Sequence, residues 1–140
     1  MSSDVFLLDT NACIRILNNS SPAVIAELAR HPPSTILMSS IVKAELLFGA
    51  RKSSRVEQNL DLLARFFAPL RVAPFDDACA EHYGMIRASL EREGRPIGPN
   101  DILIAATAMA HDAVLVTANT AEFRRVAGLR LANWEAPPSP

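Results

Sequence analysis

Short apolar runs that alternate with helix-length segments constrain this chain more than any other feature. Val5–Leu8 (VFLL), Thr35–Met38 (TILM), Leu70–Ala73 and Val114–Val116 have the length of strands, and VFLL and TILM offer no polar face. A strand apolar on both sides belongs in a sheet covered on both sides. The stretches between them read as helices. Asn11–Leu17 is followed by a break at Asn18-Asn19-Ser20, and Pro22 opens a second helix from Ala23 to about Arg30. Ser39 or Ser40 caps a third helix to about Leu47, with Gly49 near its end. Ser53-Ser54 starts a fourth, with Val56, Leu60, Leu63, Ala64 and Phe67 on one face. Asp76 and Asp77 suit the start of a fifth, whose stripe is Cys79, Tyr83, Ile86 and Leu90. Asn100 caps a helix from Asp101 to about Ala110 that is apolar nearly all round and therefore buried. A short helix over Ala121–Val126 and an edge strand over Leu129–Leu131 complete the pattern. It predicts an α/β fold: a central parallel sheet of about 4–5 strands with helices on both faces. Residues 1–135 read as one domain and 136–140 as a Pro-rich flexible tail.

Composition narrows the function classes. The net charge is -1, so no global basic field attracts nucleic acid. Yet all the basic residues except Lys43 and Lys52 are Arg, whose planar fork suits phosphate; a codon bias gives the same excess. Cys13 and Cys79 lie in apolar surroundings without CxxC spacing and read as core thiols in a reducing compartment. The first residues carry no leader signature, and no run is long enough for a membrane span. A cytoplasmic protein is expected.

In open α/β sheets, ligands bind beyond the carboxyl ends of the strands. Asp9 follows VFLL there, and Asn119 follows VLVT. Asp101 opens the buried helix, where backbone amides favour an anion. Glu45 stands among apolar neighbours, and a buried carboxylate needs a partner or a cation. Should these four converge, they form an oxygen-only ligand set, which suits a hard divalent ion such as magnesium. Each also has an ordinary reading. Asp9 and Asp101 suit helix N-termini, Glu45 can pair with Lys43 or an Arg, and Asn119 suits a turn. Asp76 and Asp77 read as caps, and His31, His82 and His111 as surface residues without ligand spacing. Met85 and Met109 read as core, and Trp134 as a packing anchor.

Four ordered motifs tip the balance. Leu8-Asp9-Thr10-Asn11 resembles the opening of PIN domains. The segment from Ser39 to Ala50, with Glu45 in ELLFGA, resembles their second motif, and Gly94 to Ala106 resembles their GxPIGxxDxxIAA segment. Val116 to Phe123, then Gly128-Leu129 and Trp134, resembles the close. The matches span nearly the whole chain, and the family they resemble is VapC, the toxin of type II VapBC toxin–antitoxin modules. The resemblance implies a PIN fold and a magnesium-dependent endoribonuclease, with manganese a possible substitute ion. It implies catalytic roles for Asp9, Glu45, Asp101 and Asn119, with Asp9 and Asp101 as direct metal ligands. Thr10, Asn11 and Thr117 become supporting hydrogen-bonding residues. Asn119 stands where many PIN nucleases have aspartate, and Glu122 supplies the missing charge only if its helix turns it inward. The implied substrate is tRNA, initiator tRNA in the nearest subgroup. The implied partners are a VapB antitoxin that inhibits the site, a second toxin copy, and DNA only through the antitoxin.

The expected mechanism is hydrolysis by in-line attack of water. Magnesium on Asp9 and Asp101 holds the phosphate, Glu45 assists the water, and Arg15, Arg51 and Arg95 contact flanking phosphates. A phosphatase of the haloacid dehalogenase class also begins with Asp after strand one, but it wants a second Asp where Asn11 stands. A PIN-like module that binds RNA or a partner without catalysis is the other alternative.

Overall fold

A computed structural model describes residues 4–135. The stretch 136–140, expected as a tail, lies outside the described residues. Five parallel strands form one sheet: β1 (Phe6–Leu8), β2 (Ile36–Ser39), β3 (Arg71–Ala73), β4 (Val114–Val116) and β5 (Leu131–Ala132). The helices are α1 (Thr10–Leu17), α2 (Pro22–Ala29), α3 (Ser40–Lys52), α4 (Val56–Phe67), α5 (Asp77–Arg92), α6 (Pro99–Ala110) and α7 (Thr120–Phe123). This is the α/β architecture that the apolar runs predict.

The strand order is β3-β2-β1-β4-β5. The chain therefore builds outward from β1 in one direction, then returns to β1's other side for β4. With right-handed crossovers, that reversal sends the two sets of connecting helices to opposite faces. It also opens a crevice between the ends of β1 and β4, the place where such sheets bind ligands. Leu8 is in register with Val116, so the residues that follow them, Asp9 and Thr117, leave the sheet side by side.

Burial follows strand position. Leu7, Leu8, Ile36 and Leu115 are fully enclosed in the three central strands, while edge strand β3 leaves Val72 60% exposed. α6 buries Ile102, Ile104, Ala105, Ala106, Thr107 and Ala108, as its all-round apolar sequence requires. Trp134 is buried against Phe6, with ring centroids 5.5 Å apart, and anchors the carboxyl end as expected. Among the described residues, no helix is long and apolar enough to cross a membrane.

Several local expectations are corrected. α3 runs on to Lys52 and carries Gly49 inside it, because Gly49 meets no crowding there and the C-cap is Ser53. α4 begins at Val56 rather than at the serines, and Ser53 is used instead to accept from Asn59 Nδ2. α6 starts at Pro99 with Gly98 as N-cap, so Asn100 lies inside the helix and caps nothing. The last strand is Leu131–Ala132, paired with β4, two residues later than its expected start. Met85 is 59% exposed and not core. His31, expected at the surface, is half-buried and stacks on Trp134, rings 5.3 Å apart and 4° from parallel. Gly94 ends α5 with φ +66, a conformation that glycine adopts without penalty.

Leu115→Ala should cost about 2–5 kcal/mol of stability through the cavity it leaves. Val72→Ala, at the exposed edge, should change stability by about 0.5 kcal/mol or less. Urea denaturation of the two variants checks the contrast; equal effects would contradict the assignment of β4 to the sheet centre.

Candidate active site

Asp9 leaves β1 and caps α1. Its backbone N–H donates to Val116 O at 3.0 Å, and its Oδ1 accepts the Ala12 N–H at 2.7 Å. It is buried, and burial raises its pKa above the ordinary Asp value. Hydrogen bonds from the Thr117 hydroxyl and the Ala12 amide pull the other way, and the charges of Glu135 and Glu45 add to the rise. Asp9 therefore caps α1 and also stands at the crevice, so the two readings that the sequence presents as rivals are compatible.

Glu45 projects from the middle of α3, half-buried. Its Oε1 accepts from Thr10 Oγ1 at 3.0 Å, which ties α3 to the first turn of α1. That hydroxyl, rather than Lys43 or an arginine, is its hydrogen-bond partner. Ser39 sets the start of α3: it is fully buried, and its Oγ accepts from Ile41 N at 3.0 Å and Val42 N at 3.4 Å.

Asp101 sits in the first turn of α6. Its pKa is pushed up to about 6, first by burial, then by the charges of Glu122 and Glu45, a hydrogen bond with Glu122, and the charge of Asp9. Glu122 does turn inward. Its Oε2 accepts from Asn119 Nδ2 at 2.7 Å and its Oε1 from the Gly98 N–H at 3.1 Å. The Asn119 and Gly98 hydrogen bonds hold its pKa below the usual Glu value, opposite in direction to Asp101. Asn119 is exposed, and its N–H donates to Thr117 Oγ1 at 2.9 Å. A Cβ on Gly98 would lie 3.4 Å from Asp101 Oδ2, so glycine keeps that oxygen accessible.

The structure thus brings Asp9, Glu45, Asp101 and Glu122 into one electrostatic cluster, held by Thr10, Thr117 and Asn119. Asn11 is exposed on α1. Arg15 pairs through Nε with Glu135 Oε1 at 2.6 Å, on a side chain that stays partly exposed. Glu135 is the residue that sequence reasoning missed. It follows the buried Trp134, and no motif near the carboxyl end signals its nearness to Asp9. The cluster's donors are all oxygen, and several like charges share one crevice; both features fit a hard divalent cation. Asp9 and Asp101 would hold it, with Glu45 and Glu122 flanking.

A parallel sheet with an acidic crevice at its switch point offers oxygen ligands where such folds bind their ligands. The PIN domain family pattern matches residues 6–129. The chain is 43% identical, over 92% of its length and 97% of the relative's, to the tRNA(fMet)-specific endonuclease VapC of Shigella flexneri. It resembles the solved VapBC complex of Rickettsia felis on a promoter DNA fragment, with TM-score 0.87 and 40% identity, covering 93% of this chain and 98% of that one. The DNA-bound VapBC of Salmonella typhimurium matches with TM-score 0.87 and 40% identity, covering 94% and 98%. The chain belongs to the PIN-domain family, among its VapC ribonucleases.

The Asp101 shift carries a stability consequence. Its folded value lies above the 3.8 of a free Asp, so at neutral pH the ionised group costs stability. The cost is relieved as pH falls from about 6 towards about 4, where the folded state keeps a proton that the unfolded state releases. Asp101→Asn should therefore stabilise the metal-free protein at pH 7 by about 1 kcal/mol after allowance for solvent screening. The gain should vanish near about pH 4. Denaturation curves at both pH values test this, and a pH-independent difference would contradict it.

Proposed function

We propose that the chain is the toxin of a VapBC pair and a magnesium-dependent endoribonuclease that cleaves tRNA, with initiator tRNA as its target. The observation that carries the proposal is the convergence of Asp9, Glu45, Asp101 and Glu122 on the β1–β4 crevice. The substrate class rests on the 43% identity to the Shigella tRNA(fMet)-specific endonuclease.

A divalent cation bound by Asp9 and Asp101 supplies charge neutralisation at the phosphate and acidifies water in its shell. The chain's own groups do the rest. Asp9 is held rigid by the Ala12 amide and Thr117, so its ligand oxygen has little freedom to lose. Glu45, steadied by Thr10, accepts a proton from the attacking water. Asn119 keeps Glu122 charged beside Asp101, which strengthens the cluster's hold on a cation. Water attacks the phosphorus in line with the departing 3′ oxygen, leaving a 5′-phosphate and a 3′-hydroxyl. Arg51 and Arg95, both exposed, contact flanking phosphates, and Arg15 does so with the guanidinium nitrogens that its Glu135 pair leaves over.

The partner reading rests on the surface beside the site. A groove of about 200 Å³ runs from Thr10 and Glu45 past Ile14, Leu46 and Leu62. Ile14 and Leu62 are exposed at its edge. A VapB antitoxin with an apolar segment and a basic side chain fits this groove and would neutralise the acidic crevice at its end. A toxin homodimer completes the reading, with DNA held by the antitoxin.

Purified protein freed of antitoxin should cut tRNA(fMet) with magnesium, or with manganese in its place, and not with EDTA. Asp101→Ala should lower the rate by about a hundredfold or more. Products ending in a 2′,3′-cyclic phosphate would overturn the mechanism, and metal-independent cutting would overturn the site. A folded protein that binds RNA but cuts none with either ion would favour the non-catalytic module.

Glu122→Gln and Asn119→Ala should each weaken magnesium binding, measured by calorimetry, by about tenfold, the scale of losing an outer supporting group. Unchanged affinity in both would remove Glu122 from the metal's surroundings.

A further inference from the structure

The far end of the α5–α6 pair holds a second group of ligand-type side chains, unrelated to the acidic crevice. Asp76 is the N-cap of α5, and its Oδ1 accepts the Cys79 N–H at 3.1 Å. Cys79 lies one turn into α5 with its thiol fully enclosed. His111 is the C-cap of α6. Because the two helices pack closely, these three ends meet: one ligand atom from each of Asp76, Cys79 and His111 lies within 4.8 Å of the others. His111 therefore departs from its expected role as a surface residue. Its Nε2 is buried and has no hydrogen-bond partner in the structure. A buried polar nitrogen left unmatched is unfavourable, so the arrangement calls for a ligand.

We propose that Asp76, Cys79 and His111 form a binding site for one zinc-class divalent cation. The donor set is thiolate, imidazole and carboxylate, which selects zinc and its borderline neighbours over magnesium. Metal–ligand lengths in such sites place ligand atoms about 3.3–3.8 Å apart, so the three groups need to close by about an ångström. Asp76 is exposed and can supply that movement while one oxygen keeps its cap. Cys79 is fully enclosed, and His111 is half-buried at the end of α6. On binding, the Cys79 thiol loses its proton to solvent, the thiolate sulfur and His111 Nε2 each donate a lone pair, and no electron is transferred. Water takes the fourth position on the exposed side.

Along α6 this site lies about 15 Å from Asp101, at 1.5 Å per residue. It is distinct from the crevice and takes a different class of ion. A cation there ties the start of α5 to the end of α6, the hairpin whose opposite end presents Gly98 and Asp101. Its effect is to stabilise that hairpin by binding the folded state alone.

The test uses the full chain stripped of metal, titrated with cobalt(II) as an optical stand-in and with zinc. Wild type should take up cobalt with a thiolate-to-metal absorption band, and zinc should raise its unfolding temperature. Cys79→Ala should abolish the band. His111→Gln, a milder change at a helix end, should weaken zinc binding by about tenfold or more, at least the loss seen for outer supporting groups. Cobalt bound without a thiolate band in wild type would overturn the proposal on its own. So would a band that persists in Cys79→Ala, which would assign the ion to Cys13, or zinc affinity unchanged in His111→Gln.

Discussion

The site hangs on one carboxylate that does two jobs at once. Asp9 closes the first turn of α1 through Oδ1 and, through its backbone, bonds to Val116 at the end of the neighbouring central strand. A buried Asp is unfavourable by itself, and here the Ala12 amide and the Thr117 hydroxyl offset part of that cost. The same bonds leave Asp9 no freedom to swing away from the crevice. The other acidic groups are arranged around a fixed point: Glu45 comes in through Thr10, the neighbour of Asp9, and Asp101 arrives at the amino end of the most buried helix.

This arrangement stores electrostatic energy. Burial and the neighbouring charges hold Asp101 protonated to about pH 6, and Glu122 stays charged because Asn119 and Gly98 hold its oxygens. Repulsion among the crevice carboxylates costs stability, and the same concentration of negative charge would favour a cation. Asn119 carries no charge itself, but its amide orients Glu122, whose carboxylate lies three residues along the chain and beside Asp101.

The sheet was legible because its strands lack a polar face, a property visible in VFLL and TILM without any partner. Asp9, Asp101 and Glu45 were legible because strand ends, helix starts and apolar surroundings make a carboxylate conspicuous. Their supports were less so. A hydroxyl at Thr10 reaching Glu45, thirty-five residues away, leaves no local trace. Neither does the pairing of Arg15 with Glu135, 120 positions apart in the chain. Helix starts expected at Ser53-Ser54 and Asn100 fall elsewhere because Ser53 closes α3 and because Gly98-Pro99 opens α6 ahead of Asn100.

Sequence alone determined the alternation of elements, the burial of the central strands, and which residue types could carry charge into a crevice, because these depend on local periodicity and on the cost of exposing apolar surface. Tertiary structure alone decided which of those charges meet. The reversal of strand order between β1 and β4 sets Asp9 beside Thr117, and the packing of α5 on α6 draws Asp76, Cys79 and His111 together. The physical reason is distance: electrostatic and hydrogen-bonding interactions act over a few ångströms of space, while the residues that make them are separated by tens of positions along the chain.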